Sequence, residues 1–120
     1  MPIVDIELVG SGPLAPDLPA VLAKRLAQVF GGAASGTWVK IRRLDASHYG
    51  EGDGGPGPDV LPVFVSIVRA DMPSDSDLGS EISKVVDVVA GACRRPAENI
   101  HVIYEPAARG RIAFGGTIVG

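Results

Sequence analysis

The chain has 120 residues, 46% of them hydrophobic and 21% charged, with a formal net charge of −3 at pH 7. That balance fits one globular domain with a buried core, and its slight acidity leaves no electrostatic footprint for nucleic acid or an anionic membrane. A single cysteine, Cys93, excludes an internal disulfide and a multi-cysteine metal site. No apolar run is long enough for a membrane span, and the start carries no secretion-type segment, so a cytoplasmic protein is expected.

Pro2 to Val9 alternates, with Val4, Ile6 and Leu8 on one face and Ile3, Asp5, Glu7 and Val9 on the other, which predicts a strand. Pro2 at its mouth has two readings. Proline is tolerated at the first residue of a strand because its missing N–H leaves no ladder bond unmade. If Met1 is removed, however, Pro2 becomes a secondary amine, and chain-terminal amines titrate at about 7.7–8.0. Burial or a nearby cation lowers that value further, toward the working range of a general base.

Gly10 to Pro13 breaks the strand, and Leu18, Val21, Leu22, Leu26, Val29 and Phe30 predict a helix starting near Asp17 and ending at Gly31-Gly32. A second strand over Thr37–Leu44 sets Trp38, Lys40 and Arg42 on one face. The Gly/Pro-rich segment 53–60 reads as a linker, and it lacks the strand-to-helix context of a phosphate loop.

The pattern then restarts. Leu61–Arg69 reads as a strand, with Pro62 sixty residues after Pro2. A helix follows with Leu78, Ile82, Val85, Val86, Val89 and Cys93 on one face, and Asn99–Tyr104 reads as a last long strand before an Arg/Gly segment. The fold class expected is α/β (α+β): two β-α-β repeats, 1–52 and 61–120, forming one domain. Right-handed crossovers would put both helices on one side of a four-stranded sheet. The other side is expected to be an apolar patch that packs against further copies.

Pro2 at the head of a strand, the βαβ duplication, His48-Tyr49-Gly50-Glu51-Gly52, and Asn99–Glu105 through Gly110 to Phe114-Gly115-Gly116 together resemble the tautomerase superfamily in its double-length form. The resemblance implies a catalytic Pro2, a homotrimer, no cofactor and a small carboxylate substrate. Arg69 is similar in place to a carboxylate-binding arginine of the cis-3-chloroacrylic acid dehalogenase group, but a second arginine of that pattern is replaced by Met72-Pro73. Trp38 and His101 stand where 4-oxalocrotonate tautomerase has an arginine. Residues 111–120 contain no carboxylate, so a water-activating acid is missing and dehalogenation ranks below keto–enol tautomerisation.

The expected site is therefore Pro2 as base, with Arg69, Lys40, Arg42, Trp38, Tyr104 and His101 as substrate-binding candidates and no metal. Arg109 and Arg111 could close the pocket from a neighbouring subunit, and Tyr49 could donate a hydrogen bond. His48, His101 and Cys93 lack metal-ligand spacing. The alternatives to a tautomerase are a related dehalogenase or decarboxylase, or a non-catalytic oligomeric module on the same scaffold.

Overall fold

The computed structural model describes residues 1–32, 34–57 and 60–120. Strand β1 (Ile3–Val9) begins directly after Pro2. Helix α1 (Leu18–Phe30) has Asp17 at its N-cap and Pro19 in the first turn, where a missing N–H costs nothing. It ends at Gly31, whose left-handed φ of 73° lets its N–H reach the Ala27 carbonyl. Strand β2 (Trp38–Leu44) completes the first βαβ unit.

Strand β3 (Val63–Val68) starts one residue after Pro62, and the carbonyl of that proline accepts from Val9 N at 3.1 Å. Helix α2 (Asp75–Cys93) is capped by Ser74, whose hydroxyl accepts from Asp77 N. It leads to β4 (Ile100–Tyr104), and a small hairpin of β5 (Ala113–Phe114) and β6 (Thr117–Ile118) closes the chain. Two of the eight residues in the linker 53–60, Pro58 and Asp59, lie outside the described residues.

The sheet order is β2-β1-β3-β4. β1 runs parallel to β2 and antiparallel to β3, and β3 runs parallel to β4. Val4, Ile6 and Leu8 of β1 and Val63, Val65 and Ile67 of β3 point the same way and meet Leu18, Leu22 and Leu26 of α1 and Val85 and Val89 of α2. Both helices therefore cover one side of the sheet. Burying each such side chain contributes about 1.5–3 kcal/mol, so this layer carries the fold.

The uncovered side differs from the apolar patch expected. The register sets Asp5 beside Lys40 and Glu7 beside Arg42. Lys40 Nζ and Arg42 Nη1 each lie 3.4 Å from Asp5 Oδ1, and Arg42 Nε is 3.0 Å from Glu7 Oε2. Cross-strand pairing thus makes the β1–β2 half ionic. Among the described residues of the four sheet strands, Trp38, 50% exposed, and Ile103, 51% exposed, are the large apolar side chains left open on this side.

Candidate functional site

Pro2 continues β1 outward by one residue, so alternation turns its ring to the helix side along with Val4, and it is fully buried. Its carbonyl accepts from Trp38 N at 3.1 Å. Extending the register of the two neighbouring strands by one position puts Thr37 beside Pro2 on the β2 flank and Arg69 beside it on the β3 flank. Met1 is only half-buried, and its amine lies by Gly36, where an added Cβ would come within 3.2 Å of it.

Arg69 comes with a partner that sequence reasoning missed. Its Nη1 donates to Oε1 of Glu81 on α2, and the hydroxyl of Tyr104 donates to Oε2 of the same carboxylate. The guanidinium also lies over the Phe30 ring, 5.5 Å from its centroid. Arg69 and Glu81 are 22% and 11% exposed at their side chains, so this pair is shielded enough to matter. Burial, and then the bond to Glu81, push the Tyr104 hydroxyl above the usual tyrosine range, against the opposing charge of Arg69. Tyr104 therefore stays a neutral donor.

A signal for Glu81 was present in the sequence. It falls three residues after Leu78 and four before Val85, inside the apolar stripe of α2, and a carboxylate on a buried stripe needs a cation or a hydroxyl to face. Thr37 left a fainter trace. It is 4% exposed, and its Oγ1 has no hydrogen-bond partner among the described residues. An unsatisfied buried hydroxyl beside Pro2 is available to a substrate or to an amine.

Of the residues singled out from sequence, Pro2, Arg69 and Tyr104 share the helix side at this end of the sheet. Lys40 and Arg42 do not join them: they project from the other side into the ion pairs with Asp5 and Glu7. Trp38 also faces that side. Its Nε1 donates to the Ser35 carbonyl at 3.0 Å and its ring meets Phe114 edge-on, with centroids 4.8 Å apart.

His101 sits against Phe64, which is level with Glu7 and hence about 17 Å along β1 from Pro2. Tyr49 packs on the same Phe64 and donates to Glu51 at 2.7 Å. Arg109 clamps Asp71 and the Gly120 carbonyl, while Arg111 bonds the Ala107 carbonyl, so both hold the C-terminal segment of their own chain. Among the described residues, no group of three or more His, Cys, Asp or Glu side chains is placed to hold a metal ion. No described helix is long and apolar enough to cross a membrane.

No protein-family model and no curated relative matches the sequence. Solved structures do match. A fused 4-OT symmetric trimer, Q0, superposes with a TM-score of 0.79 at 8% identity over 98% of this chain and 94% of that one. Pt0534 inactivated by 2-oxo-3-pentynoate gives 0.77 at 12% identity over 98% and 94%. The macrophage migration inhibitory factor of Oncomelania hupensis gives 0.76 at 13% identity over 100% and 83%. The chain therefore has the fold of these structures, the paired β-α-β architecture that the sequence resemblance implied.

Proposed function

We propose that the chain is a cofactor-independent tautomerase in which Pro2, exposed as an amine by removal of Met1, is the general base toward a small 2-oxo or enol carboxylate. The observation that carries this reading is the company Pro2 keeps: a buried ring at a strand mouth, flanked by the orphaned hydroxyl of Thr37 and by Arg69. A buried amine beside a cation is held toward its neutral, basic form. It would take a proton from an enol hydroxyl or from a carbon α to a carbonyl, then return it at the other position, leaving the substrate isomerised. The Arg69 N–H groups not engaged by Glu81 would hold the substrate carboxylate and steady the charge growing on its oxygen.

A homotrimer belongs to the same proposal. Trp38 and Ile103 are large apolar groups half open on the uncovered sheet side, and solved structures of this fold include fused 4-OT trimers.

The test combines mass and rate. Intact-mass spectrometry should show the chain without Met1, and 2-oxo-3-pentynoate should add one label that maps to Pro2. Phenylenolpyruvate and 2-hydroxymuconate should be ketonised by the wild type and at least roughly tenfold more slowly by Pro2→Ala, about 1.4 kcal/mol of barrier. Equal rates, or a retained Met1, overturn the proposal.

One observation favours a second reading, a non-catalytic oligomeric module. Arg69 is already neutralised by Glu81, so a substrate carboxylate must share or displace that partner. An oligomer that neither turns over nor takes the label supports this alternative.

A further inference from the structure

At the other end of the sheet, about 20 Å along β1 from Pro2, a cavity of about 610 Å³ opens between the end of β1, the start of α1 and the end of α2. Four arginines line it, Arg25, Arg43, Arg94 and Arg95, with Asp17 the single acidic residue in the lining among the described residues. None of the four forms an ion pair among the described residues, whereas Arg42, Arg69 and Arg109 all do.

The four arginines line the cavity from three places in the fold: Arg25 from α1, Arg43 from β2, and Arg94 and Arg95 from the end of α2. Backbone carbonyls anchor two of them. Arg43 Nη1 donates to the Gly10 carbonyl at 3.0 Å and Arg95 Nη1 to the Leu61 carbonyl at 2.7 Å. Their Nη2 atoms border the same Gly10–Gly12 turn, since a Cβ added at Gly12 would lie 3.8 Å from that of Arg43 and one at Gly10 3.5 Å from that of Arg95.

Arg43 Nε is buried with no acceptor among the described residues. Burial and the like charge of Arg43 hold the Arg95 guanidinium below its usual range, against the pull of Cys93. Four like charges gathered around one acidic residue repel one another, and a bound anion reverses that balance. A guanidinium fork matches carboxylate and phosphate oxygens in pairs.

We propose that this arginine-lined cavity at the Pro62 end of the sheet binds a small polyanion bearing at least two carboxylate or phosphate groups. The site is independent of Pro2 and of its chemistry. It lies where the second repeat begins, at an end of the sheet whose own proline nitrogen is locked in an amide, so it is a binding site and not a second proton-transfer centre.

Calorimetric titration of the full chain at low ionic strength tests the proposal, with pyrophosphate for the phosphate class, citrate for the carboxylate class and glycerol as a neutral control. At least one anion should bind with a dissociation constant below 1 mM, roughly the weak end of specific small-ligand binding, and glycerol should not bind. Which anion binds more tightly identifies the class.

Arg43→Gln combined with Arg94→Gln should weaken binding at least about tenfold. Lys24→Gln combined with Lys84→Gln, an equal change of charge on exposed helix positions, should alter it less than about twofold. Circular dichroism on both variants establishes that they are folded, and Arg94→Gln alone keeps the test available if the Arg43 change unfolds the chain. Absence of binding by both anions, or equal weakening in the two charge-matched variants, overturns the proposal.

Discussion

The hydroxyl of Tyr104 on β4 donates to the Glu81 carboxylate on α2, which ties the last strand of the sheet to the second helix beside the end where Pro2 lies. Burial first, and the bond to Glu81 second, raise this phenol above the usual tyrosine range. An unfolded tyrosine titrates near about 10, so the fold favours the neutral form. The resulting stability is fully present below about pH 10 and is lost as pH rises from there through the higher value of the folded state. Absorbance at 295 nm should show no native ionisation step for Tyr104 at about pH 10. Tyr104→Phe should remove a step at more alkaline pH, and a native step from Tyr104 near 10 contradicts the hydrogen bond.

Glu81 holds two partners at once, and removing it leaves the Arg69 charge part-buried and the Tyr104 hydroxyl without its acceptor. Glu81→Ala should lower unfolding free energy by about 2–3 kcal/mol, and Glu81→Gln, which keeps an acceptor for the phenol, by about 1 kcal/mol. Urea denaturation measures both. Losses within about 0.5 kcal/mol, the size expected of an ordinary surface change, would show that the pair is a spectator.

Gly10 is constrained twice. Its φ is 120°, outside what most side chains adopt, and a Cβ there would sit 2.8 Å from Leu61 Cδ1. Gly10→Ala should therefore destabilise the chain by about 1–3 kcal/mol, whereas Gly50→Ala, with open space at its Cβ and no positive φ, should be within about 0.5 kcal/mol of wild type. Thermal unfolding of the two variants side by side distinguishes them.

Ile103 is half exposed on the uncovered sheet side. If that side is buried between copies, Ile103→Lys places a charge in an apolar contact and should shift the sedimentation coefficient from trimer toward monomer at micromolar concentration while leaving circular dichroism unchanged. A wild-type monomer under the same conditions contradicts the assembly.

Periodicity alone placed the four strands and two helices of the sheet layer. Alternation in β1 separated Val4, Ile6 and Leu8 from Asp5 and Glu7, and the three-and-four spacing of Leu18, Leu22 and Leu26 marked the face of α1 that the core takes. These were legible because each is a local pattern set by the geometry of a single element. Pro2 was legible for a similar reason: its place at a strand mouth is a matter of neighbouring residues.

The grouping of side chains into sites was decided by register and helix placement. Period two sorts each strand into two faces but does not say which face of one strand joins which face of the next. Once β2 aligns with β1 so that Lys40 meets Asp5, Lys40 and Arg42 leave the side that Pro2 occupies. The same holds for Glu81, which reaches Arg69 and Tyr104 only because α2 packs across β3 and β4, and for the four arginines that three separate elements bring to one cavity. Local sequence therefore specified the elements and their apolar faces, while charge pairing between distant residues awaited the folded arrangement, because such contacts depend on relative position in space and not on spacing along the chain.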